Sequence, residues 1–119
     1  MSTTTTTQTP TLHHFFVYAP DKTEEGTLAR RFSVRPSHLE AIQDKIAKGV
    51  VRLGGMLTTP ESIASPAAER KVVGSTMIIE AETIEEVKKL IHGDIYYTSG
   101  VWDPEKIVIL PFFAATPFP

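Results

Sequence analysis

Arg30–Ile46, RRFSVRPSHLEAIQDKI, is the stretch from which the fold can be read. Proline suits the first position of a helix, where its missing N–H would have no intrahelical partner, so Pro36 marks a start. Ser37 and Glu40 form an alternative start as a capping box, a residue or two away. Downstream, Leu39, Ile42 and Ile46 fall at i, i+3 and i+7 and make one apolar stripe, with Glu40, Asp44 and Lys48 at polar positions around it. Gly49 is a C-terminal stop. The spacing predicts a first helix that begins near Pro36 and carries His38 in its first turn.

The flanks supply the strands. Phe15–Ala19, FFVYA, is a short run of β-formers stopped by Pro20 and followed by the loop DKTEEG; it reads as a central strand buried on both faces. Val50–Leu57 reads as a second strand, whose Gly54 and Gly55 suggest a bulge or a close approach to the backbone. A Pro/Ser/Ala loop, Thr58–Ala68, joins it to a third strand, Arg70–Glu80, as a long antiparallel hairpin. Thr83 and Glu86 form a capping box for a second helix, with Glu85 adding negative charge to its first turn. Ile84, Val87, Leu90 and Ile91 are its buried stripe and Gly93 its end. Asp94–Gly100 reads as a polar connection, and Lys106–Leu110 as a fourth strand closed by Pro111.

The order β-α-β-β-α-β predicts an α+β, ferredoxin-like fold: a four-stranded antiparallel sheet with two helices on one face. The strands are apolar enough that the other face needs a cover, most simply a second subunit. Residues 1–12 read as a disordered Thr-rich tail, 13–113 as the folded domain and 114–119 as a C-terminal tail.

Composition narrows the function. The 119 residues carry a net charge of -2, which weighs against nucleic acid or an anionic membrane surface as partner. Without Cys there is no disulfide, thiolate chemistry or Cys-ligated zinc. No apolar run approaches the ~20 residues of a membrane span, and the Thr-rich start lacks the pattern of a secretory signal, so a cytoplasmic protein is expected. His13 and His14 lack a third ligand at helical spacing, so no metal is assigned. Gly54, Gly55 and Gly74 fall in strands rather than in a strand-to-helix phosphate loop, which argues against nucleotide binding.

From FVYAPDK, through RRFSVRPSHLEAI and VVGSTMIIEAETIEEV, to GDIYYTSGVWD, the chain resembles the YCII-related (YciI-like) proteins of the dimeric α+β barrel superfamily. The resemblance runs from Phe15 to about Phe113. In that family a His in an R-P-x-H segment and an Asp in a D-P-Y-like segment are proposed to form an active-site dyad. The first segment maps to Arg35-Pro36-Ser37-His38 and the second to Asp94-Ile95-Tyr96, with Ile95 where Pro is usual. The resemblance implies a homodimer with facing sheets, a pocket between the sheet and the helix start, and no metal or organic cofactor. Characterised chemistry in the family includes elimination from a chlorinated hydroxyhydroquinone. Relatives in the wider superfamily include lactone isomerases and cofactor-free oxygenases.

The residues themselves leave two readings open. In a first helical turn, His38 would meet the positive end of the macrodipole, which favours the neutral ring. Asp94, bonded to one ring nitrogen, would fix the tautomer and leave the other nitrogen as a base for a phenol or a carbon acid next to a carbonyl. Taken with the resemblance, this reading implies a lyase or isomerase acting on a small aromatic or polyketide-like compound, with Arg35 as anion anchor and Tyr96 and Trp102 as aromatic walls. The blander reading has His38 packing at the helix start, Asp94 bonding backbone N–H groups in a turn, Arg35 at the surface, and Tyr96 and Trp102 as core or dimer contacts. The protein would then be a small-molecule-binding or accessory protein. Arg30 and Arg31 are read as solvated or paired at the surface, and His92 as the nearest competitor for the base.

Overall fold

The structure, a computed structural model, describes residues 11–118. The expected N-terminal tail lies outside them, Thr11 and Leu12 excepted. Strands β1 (His13–Pro20), β2 (Val51–Thr58), β3 (Val72–Ala81) and β4 (Val108–Phe112) form one antiparallel sheet in the order β2-β3-β1-β4. Helices α1 (Thr27–Ala47) and α2 (Ile84–His92) make the crossovers, and a short α3 (Ile95–Thr98) replaces the expected polar connection. This is the ferredoxin-like α+β fold predicted from the sequence.

Alternation along the central strands decides which face is core. Phe15, Val17 and Ala19 of β1 are buried beside Met77 and Ile79 of β3, and Ile42, Val87, Ile91 and Tyr96 close the same core from the helices. Phe16 and Tyr18 point the other way, because successive strand side chains alternate. On that side Tyr18, Leu53, Val108 and Leu110 are exposed. In the single chain β1 is therefore buried on one face only, not on both.

The helix boundary differs from the sequence expectation in a way that matters for the site. Helix α1 starts at Thr27, and Pro36 lies inside it. Gly26, at φ 89°, takes the left-handed conformation that glycine tolerates, and the Thr27 hydroxyl donates to the Glu24 carbonyl at 2.9 Å. Pro36 removes one ladder hydrogen bond, but Phe32, whose carbonyl loses it, is exposed, as is Pro36 itself. Hydrophobic periodicity did not reveal the first turns because Thr27 and Arg31, both polar, occupy their buried face.

Elsewhere the local chemistry holds. Both bonds of the Thr83–Glu86 capping box are present, at 3.1 and 3.2 Å. The register of β2 shifts between Val51 and Leu53 and again between Leu57 and Thr58, on either side of the glycines rather than at them. Close approach falls at Gly74, where a Cβ would lie 3.0 Å from the Ala19 carbonyl oxygen. Pro111 sits within β4 instead of closing it, which an edge strand permits because one side of its backbone is unpaired.

Candidate functional site

The lengthened α1 presents Arg31, Arg35, His38 and Ile42 at i, i+4, i+7 and i+11, one face of the helix. All four line an open cavity of about 380 Å³ between α1 and strands β2 and β3, with Tyr96 of α3 at its end. That volume suits a small organic molecule. The apolar stripe expected to be core is divided. Ile42 is buried, whereas Leu39 and Ile46 are exposed and form cavity wall with Met56 and Met77.

His38 and Asp94 are brought together. His38 Nδ1 lies 2.9 Å from Asp94 Oδ1, and both side chains are largely buried. A carboxylate only accepts, so Nδ1 carries the proton and Nε2 of the neutral ring keeps its lone pair. No partner for Nε2 is present among the described residues. Asp94 Oδ1 also accepts the Tyr96 backbone N–H at 2.8 Å, which caps α3. The turn role and the histidine-orienting role of Asp94 thus coexist on one oxygen. Ile95, in place of the usual Pro, occupies the first position of α3 and leaves this geometry intact.

The position of His38 corrects one expectation. It lies about three turns into α1, not in the first, so the helix N-terminus does not bear on its charge. Its environment is set instead by Asp94 and by the Tyr96 ring, stacked on the imidazole at 4.0 Å and 19°.

Arg31 also departs from expectation. It is 4% exposed, not at the surface, and makes a bidentate pair with Asp21 at 2.8 and 3.1 Å. Its guanidinium lies over the Tyr96 ring, 4.4 Å from the centroid. Arg31 and His38 stand two turns apart, ~10.5 Å along the axis, so the ring is held between them. Burial pushes the Tyr96 phenol above its ordinary value, while the positive charges of Arg31 and Arg35 oppose the shift.

The remaining expected site residues divide. Arg35 lines the cavity and has no ion-pair partner among the described residues. Tyr96 lines it too. Trp102 does not reach it: the indole is fully buried behind the site and donates from Nε1 to Ser75 Oγ at 3.2 Å. His92 is exposed and packs against Tyr97, away from the cavity. Asp21 and Ser75 were not singled out from the sequence. Both take their roles from Arg31, whose place on the same helix face as Arg35 and His38 shows only once α1 begins at Thr27. Among the described residues no cluster of three potential metal ligands is found.

Comparison with known proteins gives the same frame. The YCII-related domain matches residues 15–112. The chain belongs to the YCII-related family. It is 34% identical to Fusaric acid biosynthesis protein 2 of Gibberella fujikuroi over 104 residues, covering 85% of this chain and 93% of that one. It is 33% identical to Protein YciI of Escherichia coli O6:H1 over 98 residues, covering 82% and 94%. Among solved structures, the 5-chloro-2-hydroxyhydroquinone dehydrochlorinase of Burkholderia phenoliruptrix, in complex with 2,5-dihydroxybenzoquinone, superposes with a TM-score of 0.68. At 22% identity, over 84% of this chain and 93% of that one, the likeness is one of fold. No helix among the described residues is long and apolar enough to cross a membrane.

Proposed function

We propose that this chain is a cofactor-independent lyase or isomerase that removes a proton from a small aromatic or polyketide-like compound. The observation that carries the reading is the His38–Asp94 pair at 2.9 Å, with the second imidazole nitrogen unpartnered and the ring lining the cavity. His38 Nε2 takes the proton, Asp94 holds the tautomer and steadies the imidazolium that forms, and Arg35 neutralises the developing anion. General-base catalysis of this kind contributes ~10²–10⁴-fold, enough for an acidified substrate. Apolar walls from Leu39, Ile46 and Met56 suit a flat ring. Two relatives support a small organic substrate: one is named for the biosynthesis of fusaric acid, the other for dehydrochlorination of a hydroquinone.

The working unit in this reading is a homodimer, with a second copy covering the sheet face that leaves Tyr18, Leu53, Val108 and Leu110 exposed. A non-catalytic binding protein is the second reading, favoured by the mostly apolar lining of the cavity, which can hold a ligand without changing it. Screening hydroxyhydroquinones and β-dicarbonyl compounds for turnover separates the two. The enzyme reading requires that His38→Ala and Asp94→Asn abolish product formation while the wild type makes it. A ligand recovered unchanged from the wild type, or full activity in either variant, overturns it.

A further inference from the structure

Ser75 sits on β3, facing the helices, and is 7% exposed. Its hydroxyl oxygen receives two N–H donors: Arg31 Nη2 at 2.6 Å and Trp102 Nε1 at 3.2 Å. A serine hydroxyl has two acceptor lone pairs and one proton. Both lone pairs are therefore in use, and rotating the hydroxyl cannot turn it into an acceptor for anything else. The proton remains. Among the described residues Ser75 donates to no acceptor, yet the side chain lines the same cavity as His38, Arg35 and Tyr96. A buried hydroxyl proton without an acceptor is costly, and a ligand atom that accepts it relieves that cost.

We infer that Ser75 is a binding residue that donates its hydroxyl proton to an anionic oxygen of the ligand, a phenolate or enolate. The guanidinium on its oxygen polarises the O–H, and chains of hydrogen bonds strengthen one another in a low-dielectric site. Asp21 neutralises Arg31 and holds it in place, so Arg31 contributes its fixed N–H to Ser75 rather than a free charge to the ligand. Trp102, which lies outside the cavity, acts as the second of the two donors that commit Ser75 to donating. The pocket would then have two functions at two places: His38 Nε2 receives the proton, and Ser75 holds the oxygen on which negative charge collects. The inference rests on the reading of the cavity as a site for an acidic phenol or enol, but it does not require that His38 act as a base.

The test uses binding alone, with 4-nitrophenol at a pH where it is ionised and 4-nitroanisole as the neutral isostere. The wild type is expected to prefer the phenolate. Ser75→Ala should weaken phenolate binding roughly ten- to a hundredfold, the range for a hydrogen bond to a charged group, and leave 4-nitroanisole binding unchanged. Ser75→Ala also strips the acceptor from Arg31 and Trp102. If it does not fold, Ser75→Cys serves, because a thiol is a weak donor of similar shape; it should lose phenolate affinity in the same sense. Ser75→Thr, which keeps the hydroxyl, should retain the preference. Equal loss of both probes, no loss of phenolate binding, or no preference in the wild type overturns the inference. Loss of turnover in His38→Ala with phenolate binding unchanged in Ser75→Ala removes the anion contact and leaves the base intact; the reverse pattern removes the base and leaves the contact.

Discussion

Replacing Asp21 by Ala isolates the least expected interaction in the molecule. Arg31 is 4% exposed, and Asp21 supplies both carboxylate oxygens to it, at 2.8 and 3.1 Å. Without Asp21 the guanidinium keeps one hydrogen bond to Ser75 and the face of Tyr96, but no counter-charge. Breaking one side of a buried ion pair costs about 3–5 kcal/mol, because the other charge stays desolvated. Total stability for a domain of this size is about 5–15 kcal/mol, so the loss is a large share of it. In thermal terms the melting temperature falls by roughly 12–30 °C. Urea unfolding should show a lowered midpoint at unchanged slope. The double replacement Asp21→Leu with Arg31→Met removes both charges, and for such swaps the stability is often neutral or improved. It should therefore be more stable than Asp21→Ala alone. A loss below about 1 kcal/mol in the single variant, the range of an exposed pair, would refute the reasoning. So would a double variant no better than the single one.

Other consequences follow from the same geometry. Asp94→Ala removes the acceptor for both His38 and the Tyr96 backbone N–H and should cost about 2–4 kcal/mol, whereas Asp94→Asn keeps a capping oxygen and should cost about 1 kcal/mol or less; urea midpoints compare the two. The Tyr96 phenol is raised by burial, so the folded protein holds its proton where the unfolded chain releases it. Its contribution is fully present below about pH 10 and is lost as pH rises through the raised folded value. Tyr96→Phe should flatten that alkaline loss in melting temperatures taken across the range, and identical profiles would count against it. For the proposed homodimer, Leu110→Lys places charge on the open sheet face; sedimentation should shift from dimer to monomer and the melting temperature should fall with the lost association.

The sequence was most informative where physics is local. The order of elements, the capping box at Thr83 and the sheet topology follow from periodicity, turn residues and chain order, and the sheet has the predicted arrangement. It misled where two local preferences compete. Pro36 favours a helix start, yet α1 runs through it, because packing of Thr27 and Arg31 beneath the helix outweighs one lost hydrogen bond. That single boundary concealed much of the cavity. With the start at Pro36, Arg31 fell outside the helix and read as a surface charge; with the start at Thr27 it joins Arg35 and His38 on one face. Ser75 and Asp21 carry no sequence signal of their own, since each acquires its role from partners 44 and 10 residues away. The approach of His38 to Asp94 spans 56 residues and was suggested by family resemblance rather than by spacing. From the residues alone, a turn aspartate and a histidine packed at the helix start were the favoured descriptions, and Asp94 is in fact also a helix cap.

The most direct test of the account is the ring nitrogen NMR spectrum of His38 in its neutral state, in the wild type and in Asp94→Ala. The account predicts that the wild-type proton resides on Nδ1, facing Asp94, with Nε2 unprotonated toward the cavity, and that Asp94→Ala loses this preference. A proton on Nε2 in the wild type, or the same tautomer in both proteins, would contradict it, because the nitrogen on which the chemistry depends would then have no lone pair or would owe nothing to Asp94.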